Sequence, residues 1–162
     1  MKHVLISLLI GSIMLTGFQS FSQSQQEKDN RLIWQVANRF SSSYNNGDVK
    51  AMKKLLPNDF MLQWLHENFL EKEGLLVSML DTPVHITLKH QLNHDSKSVI
   101  RYSDNYKSAS LNTSFQFIDP AMIEAVKTEN CYGLCIMYFQ KRNGRWHLQT
   151  VHLDLHCTLC NI

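Results

Sequence analysis

Apolar residues recur in steps of three and four from Leu32 through Ile33, Val36, Ala37 and Phe40 to Tyr44. That spacing is the stripe of a helix with one buried face. Asn45-Asn46-Gly47 ends it, and Asp48 is placed to cap a short second helix with Val49, Met52, Leu55 and Leu56 on one side. Pro57 closes that helix. Residues 59–64 alternate as a strand does, and residues 71–80 predict a third helix, acidic in its first turn, with Leu75, Leu76, Met79 and Leu80 inward. Beyond Pro83 the period becomes two. Residues 85–92, 98–103 and 114–118 predict strands separated by polar turns, while 121–126 reads equally as a helical turn or a bulged strand. The clearest local signal comes last: residues 131–140 and 145–156 flank Asn143-Gly144, the preferred type I′ hairpin turn.

The first residues stand outside this pattern. A basic start, Met1-Lys2-His3, leads into an apolar run over 4–15 that has the length of a signal-peptide core and is too short to span a bilayer. Ser20 and Ser22 supply the small residues of a cleavage site. Residues 1–22 are therefore expected to be a cleaved signal peptide, 23–30 a polar, disordered lead, and 31–162 a single domain. A buried N-terminal helix or a retained anchor is the alternative. The expected location is the periplasm or the exterior.

Composition narrows the function classes. The 162 residues are 44% hydrophobic and 19% charged, which fits one globular domain. Sixteen basic against fourteen acidic residues become fifteen against fourteen once Lys2 leaves with the signal. So small a charge gives no basic face for nucleic acid and no attraction to an anionic membrane. The six glycines, at 11, 17, 47, 74, 133 and 144, build neither a dinucleotide fingerprint nor a phosphate loop, and neither HExxH nor Gly-x-Ser-x-Gly is present. No cofactor is implied.

Helices followed by a run of strands argue an α+β fold: a curved antiparallel sheet with about three N-terminal helices packed on it. The first helix ending in YNNGD at 44–48, the following VKAMKKLLPNDF through Phe60, the third helix, and the final hairpin with KRNGRWHLQTV at 141–151 together resemble the nuclear transport factor 2-like superfamily, its SnoaL-like branch in particular. The resemblance covers nearly all of the chain after residue 22. It implies a cone-shaped half-barrel, cystatin-like, with a pocket between sheet and helices, in a group that mixes isomerases and dehydratases with binding and dimerisation modules. Fold therefore does not decide function. What it implies here is a domain that binds a small, fairly apolar ligand or pairs with a second copy, without catalysis.

With a two-residue turn, residues whose numbers share a constant sum face each other, so Cys135 meets His152 and Cys131 meets His156. On that register Tyr132, Leu134, Ile136 and Tyr138 form the core face with Leu155, Leu153 and Val151. Cys131, Gly133, Cys135 and Met137 share the other with His156, Asp154, His152 and Thr150. A bulge would shift this pairing. Three readings compete for the cluster. One is a disulfide among Cys131, Cys157 and Cys160; Cys131 and Cys135, ~13 Å apart along one strand, cannot bond each other. Another is a metal held by Cys131, Cys135, His152 and His156, or by His152, His156, Cys157 and Cys160, although neither spacing is a standard zinc pattern. The third is reduced cysteines filling core space. For the pocket that the cone fold would enclose, Trp64, His66, Tyr102, His152 and Asp154 are the candidate lining residues. His152 with Asp154 is the first pair to test for acid–base catalysis of the lyase or isomerase type.

Overall fold

A computed structural model describes residues 2–64, 68–81, 85–89, 91–93, 96–118 and 131–157. The chain divides into two units, 1–32 and 33–162. Helix α1 is assigned over Lys2–Asn45. Residues 23–30, expected to be a disordered lead, are helical instead. Polar side chains spaced by four support the turns: Gln25 Nε2 donates to Asp29 Oδ2 at 3.3 Å and Arg31 lies 4.0 Å from Glu27. Among the described residues no helix is long and apolar enough to cross a membrane.

In the second unit, Ile33, Ala37 and Phe40 of α1 are fully buried, as their spacing requires. Asp48 caps α2 (Val49–Leu55), its carboxylate accepting from the Ala51 N–H at 2.9 Å. Phe60 then packs 6.1 Å from Phe40, centroid to centroid. Helix α3 (Lys72–Asp81) buries Leu75, Leu76 and Met79. The end of α1 is fastened to strand β3 (His85–Leu88) by a reciprocal pair: Asn45 donates to the Ile86 carbonyl at 2.9 Å and accepts from the Ile86 N–H at 2.7 Å. Ser41 Oγ donates to the same carbonyl. Asn45, which the sequence marks only as a helix stop, thus closes an edge that strand pairing leaves open.

The main sheet is built from β1 (Met61–Trp64), β2 (Asn68–Glu71), β3, β6 (Val99–Tyr102), β7 (Ser108–Ile118), β8 (Cys131–Arg142) and β9 (Arg145–Cys157). Its order is β2-β1-β9-β8-β7-β3, with β6 also on β7, while β4 (Gln91–Asn93) and β5 (Ser96–Lys97) pair separately. Three helices and a curled sheet give the α+β half-barrel expected, with one correction. The sheet is mixed, because β1 runs parallel to β9. No hairpin joins these two strands, so nothing forces them antiparallel. Two strands extend beyond the sequence prediction. β2 lies where the sequence predicts no element before the third helix, and β7 begins at Ser108, because Ser108, Ser110 and Asn112 alternate with buried Ala109, Leu111 and Thr113. Residues 121–126 lie outside the described residues.

One face of the sheet carries the core. Leu62, Leu111, Phe115, Cys135, Met137, Phe139, Leu148, Val151 and Leu153 are at most 3% exposed. The opposite face is open: Met61, Phe69, Val99 and Tyr138, all of that parity, are exposed.

Candidate functional site

Asn143 and Gly144 both have positive φ, 50° and 75°, as a type I′ turn demands. From the turn outward, Arg142 pairs with Arg145 and Phe139 with Leu148, as a constant sum predicts. Then the register slips by one. Tyr138 pairs with Thr150, leaving Gln149 as the extra residue of a bulge. Polar contacts hold it there: Gln149 accepts from Arg142 Nη2 at 2.7 Å and donates to Asp59 at 3.4 Å, while Arg142 also reaches Asp59 at 3.3 Å.

That single residue reverses the expected face of β8, while Val151 and Leu153 of β9 lie on the core face and His152 and Asp154 opposite them, as their alternation predicts. Cys135 pairs with Leu153 rather than His152, and it lies with Met137 on the buried face; His152 pairs with Ile136 and Asp154 with Leu134 on the open one. The core assignment of Leu134, Ile136 and Tyr138 is overturned for the same reason. So is the metal set of Cys131, Cys135, His152 and His156, since Cys135 and His152 occupy opposite faces. Burial pushes the Cys135 thiol far above its ordinary range, so it is a protonated core filler. Among the described residues no three His, Cys, Asp or Glu side chains gather as metal ligands. The same slip makes Cys131 the register partner of Cys157. Cys160 lies outside the described residues.

Among the described residues, two depressions lie on the open face. The smaller, about 130 Å³, is lined by Gln63, Leu134, Ile136, His152, Leu153 and Asp154. Gln63 is there because parallel pairing of β1 with β9 sets it beside His152. The larger, about 460 Å³, runs over β6, β7 and β8; Arg101, Ser110, Tyr138 and Gln140 line it, with Gln149 from the bulge. Tyr138 and His152 meet edge to face at 5.3 Å between ring centroids. Since one lines each depression, this aromatic pair is their common wall. Burial lowers the His152 pKa, favouring the neutral imidazole.

The remaining candidates do not converge on one cavity. Tyr102 lines the larger depression, but its ring stacks on Tyr106 at 4.5 Å and tilts against Trp146 at 5.8 Å. Lys141 caps the cluster, 5.3 Å from the Tyr106 ring and 5.0 Å from Trp146. Trp64 ends β1, its backbone in register with Leu153. His66 lies outside the described residues. Arg101, Tyr138 and Gln149 were missed from the sequence. Arg101 and Ser110 could have been found from alternation alone; Tyr138 and Gln149 were hidden by the unseen bulge.

No protein-family model matches the chain, and no curated protein matches it in sequence. Solved structures do match its fold. An NTF2-like protein from Cytophaga hutchinsonii, 12% identical, superposes with a TM-score of 0.61 over 78% of this chain and 98% of its own. A Nostoc punctiforme protein of unknown function with a cystatin-like fold, 20% identical, gives 0.60 over 83% and 96%. A putative scytalone dehydratase from Novosphingobium aromaticivorans, 10% identical, gives 0.64 over 83% and 89%. The chain has the cystatin-like α+β fold of NTF2-like proteins. At these identities the likeness speaks for fold alone.

Proposed function

We propose that the protein is an exported small-ligand-binding domain that works by recognition rather than catalysis. The observation that carries this reading is the 460 Å³ groove on the open sheet face, which falls in the size range of small-molecule sites and combines an aromatic ring with convergent polar groups. The setting of His152 and Asp154 favours binding over acid–base chemistry. They line a depression of about 130 Å³, too small to enclose a substrate and exclude water around the reacting atoms. The N-terminal pattern supports export. In an oxidising compartment the register pairing of Cys131 with Cys157 favours a disulfide across the last hairpin.

The test is a heteronuclear NMR titration of the labelled domain with a small-molecule fragment set. Ligands should perturb Arg101, Ser110, Tyr138 and Gln140 together. Fragments that bind only on the helix-covered side would overturn this placement.

A second reading, pairing with another copy, is favoured by one observation: Met61, Phe69, Val99 and Tyr138 expose apolar surface on the same face. Light scattering decides it. A concentration-independent monomer mass would remove it.

A further inference from the structure

Resting on the binding reading above, we propose that the larger groove is an anion site whose ligand is a planar carboxylate, paired with Arg101 and laid against Tyr138. The strand register builds the site. Arg101 is the cross-strand partner of Ser110, and Ser110 of Tyr138, so guanidinium, hydroxyl and phenol rise in one row over three adjacent strands. At about 4.8 Å per strand the row spans about 10 Å, the length of a fused aromatic acid. A second row, Ser108 with Gln140, flanks it.

Charge selects the ligand. Of the residues lining the groove Arg101 is the one that carries a formal charge, so the local field is positive. The neutral groups reinforce this, because the orientation of Gln140 is fixed. Its carbonyl oxygen accepts from Arg142 Nε at 2.8 Å, which leaves the amide N–H groups to face a ligand. Guanidinium, amide N–H and serine hydroxyls together offer donors, and a guanidinium fork matches a carboxylate with two parallel hydrogen bonds. Tyr138, 42% exposed, supplies an aromatic surface against which a flat apolar body can lie.

The experiment compares 2-naphthoate with its neutral isostere 2-naphthamide by NMR titration of the intact domain, wild type and Arg101→Gln. Naphthoate should bind the wild type about tenfold more tightly than naphthamide, and Arg101→Gln should abolish that difference while leaving naphthamide affinity unchanged. Arg101 is exposed, so this variant keeps the fold. Equal affinities for acid and amide, or an unchanged naphthoate affinity in Arg101→Gln, would overturn the anion site. Fragment binding in the same groove would then still uphold the binding reading. Failure of every compound to perturb the groove overturns both.

Discussion

Phe115 lies across Gly133, its register partner on the next strand, in the space a side chain at residue 133 would occupy. A Cβ there would collide with the Phe115 ring and stand 2.8 Å from the Asp154 carbonyl oxygen. The ring is fully buried, and protein interiors are packed densely enough that displacing it costs energy. Gly133→Ala should therefore destabilise the domain by about 2 kcal/mol through overpacking. Urea unfolding of the single variant, and of Gly133→Ala combined with Phe115→Leu, measures it. The smaller partner should recover part of the loss, and additive effects would show that the two positions are not coupled.

Cysteine chemistry gives a second prediction. Cys135 is fully buried with its thiol pushed upward, so alkylating reagents should miss it in the native protein and modify it only after denaturation. Protein recovered from an oxidising compartment should carry a Cys131–Cys157 bond, because the bulged register makes them direct partners. Closing a loop of about 25 residues would add about 3 kcal/mol. Peptide mapping after alkylation without reduction checks both statements. A bond from either cysteine to Cys160 would refute the pairing.

How much of this was legible in the sequence depends on whether the signal is local. The stripe through Ile33, Ala37 and Phe40, the Asp48 cap and the Asn143-Gly144 turn are each decided within a few residues, and each is found where its spacing places it. Which residues of β8 share a face with Val151 and Leu153 of β9 is not decided locally. Gln149 carries no mark of a bulge; what holds it is Asp59, ninety residues earlier, together with Arg142. A period-two pattern has only two phases, so one insertion puts Cys135 and Met137, rather than Leu134, Ile136 and Tyr138, on the core face with Val151 and Leu153. Parallel pairing of β1 with β9, which brings Gln63 to His152, is likewise a tertiary choice. Tyr138, Gln149 and Gln63 were hidden by these two long-range facts, whereas Arg101 and Ser110 follow from alternation within their own strands.

His152 links the site to pH. Its neighbours in the small depression are Gln63 from β1, Leu134 and Ile136 from β8, and Asp154 on its own strand, with the Tyr138 ring against its edge. Burial lowers its pKa in the folded state, so the unfolded chain takes up the proton first as pH falls. This contribution leaves stability unchanged above the ordinary histidine value near 6.5 and reduces it as pH drops from there toward the lowered folded value. His152→Gln should flatten the decline in melting temperature between about pH 7 and about pH 5. Parallel curves for the two proteins would contradict the assignment.

Deleting Gln149 tests the bulge itself. Leu148 and Thr150 pair with the adjacent Phe139 and Tyr138, so removing the residue between them makes β9 regular and keeps every cross-strand partner. Leu148, Val151 and Leu153 stay on the core face, and His152 and Asp154 on the open one. What is lost is the exposed side-chain hydrogen bonds of Gln149 with Arg142 and Asp59, worth about 1 kcal/mol. The deletion should therefore still unfold cooperatively by circular dichroism. Gln149→Ala is the matching variant, since it loses the same contacts and keeps the residue count, and the two should be of similar stability. If the deletion abolishes cooperative unfolding while Gln149→Ala does not, residue 149 is not the surplus one, and the register that sets His152 opposite Ile136 and Asp154 opposite Leu134 falls with it.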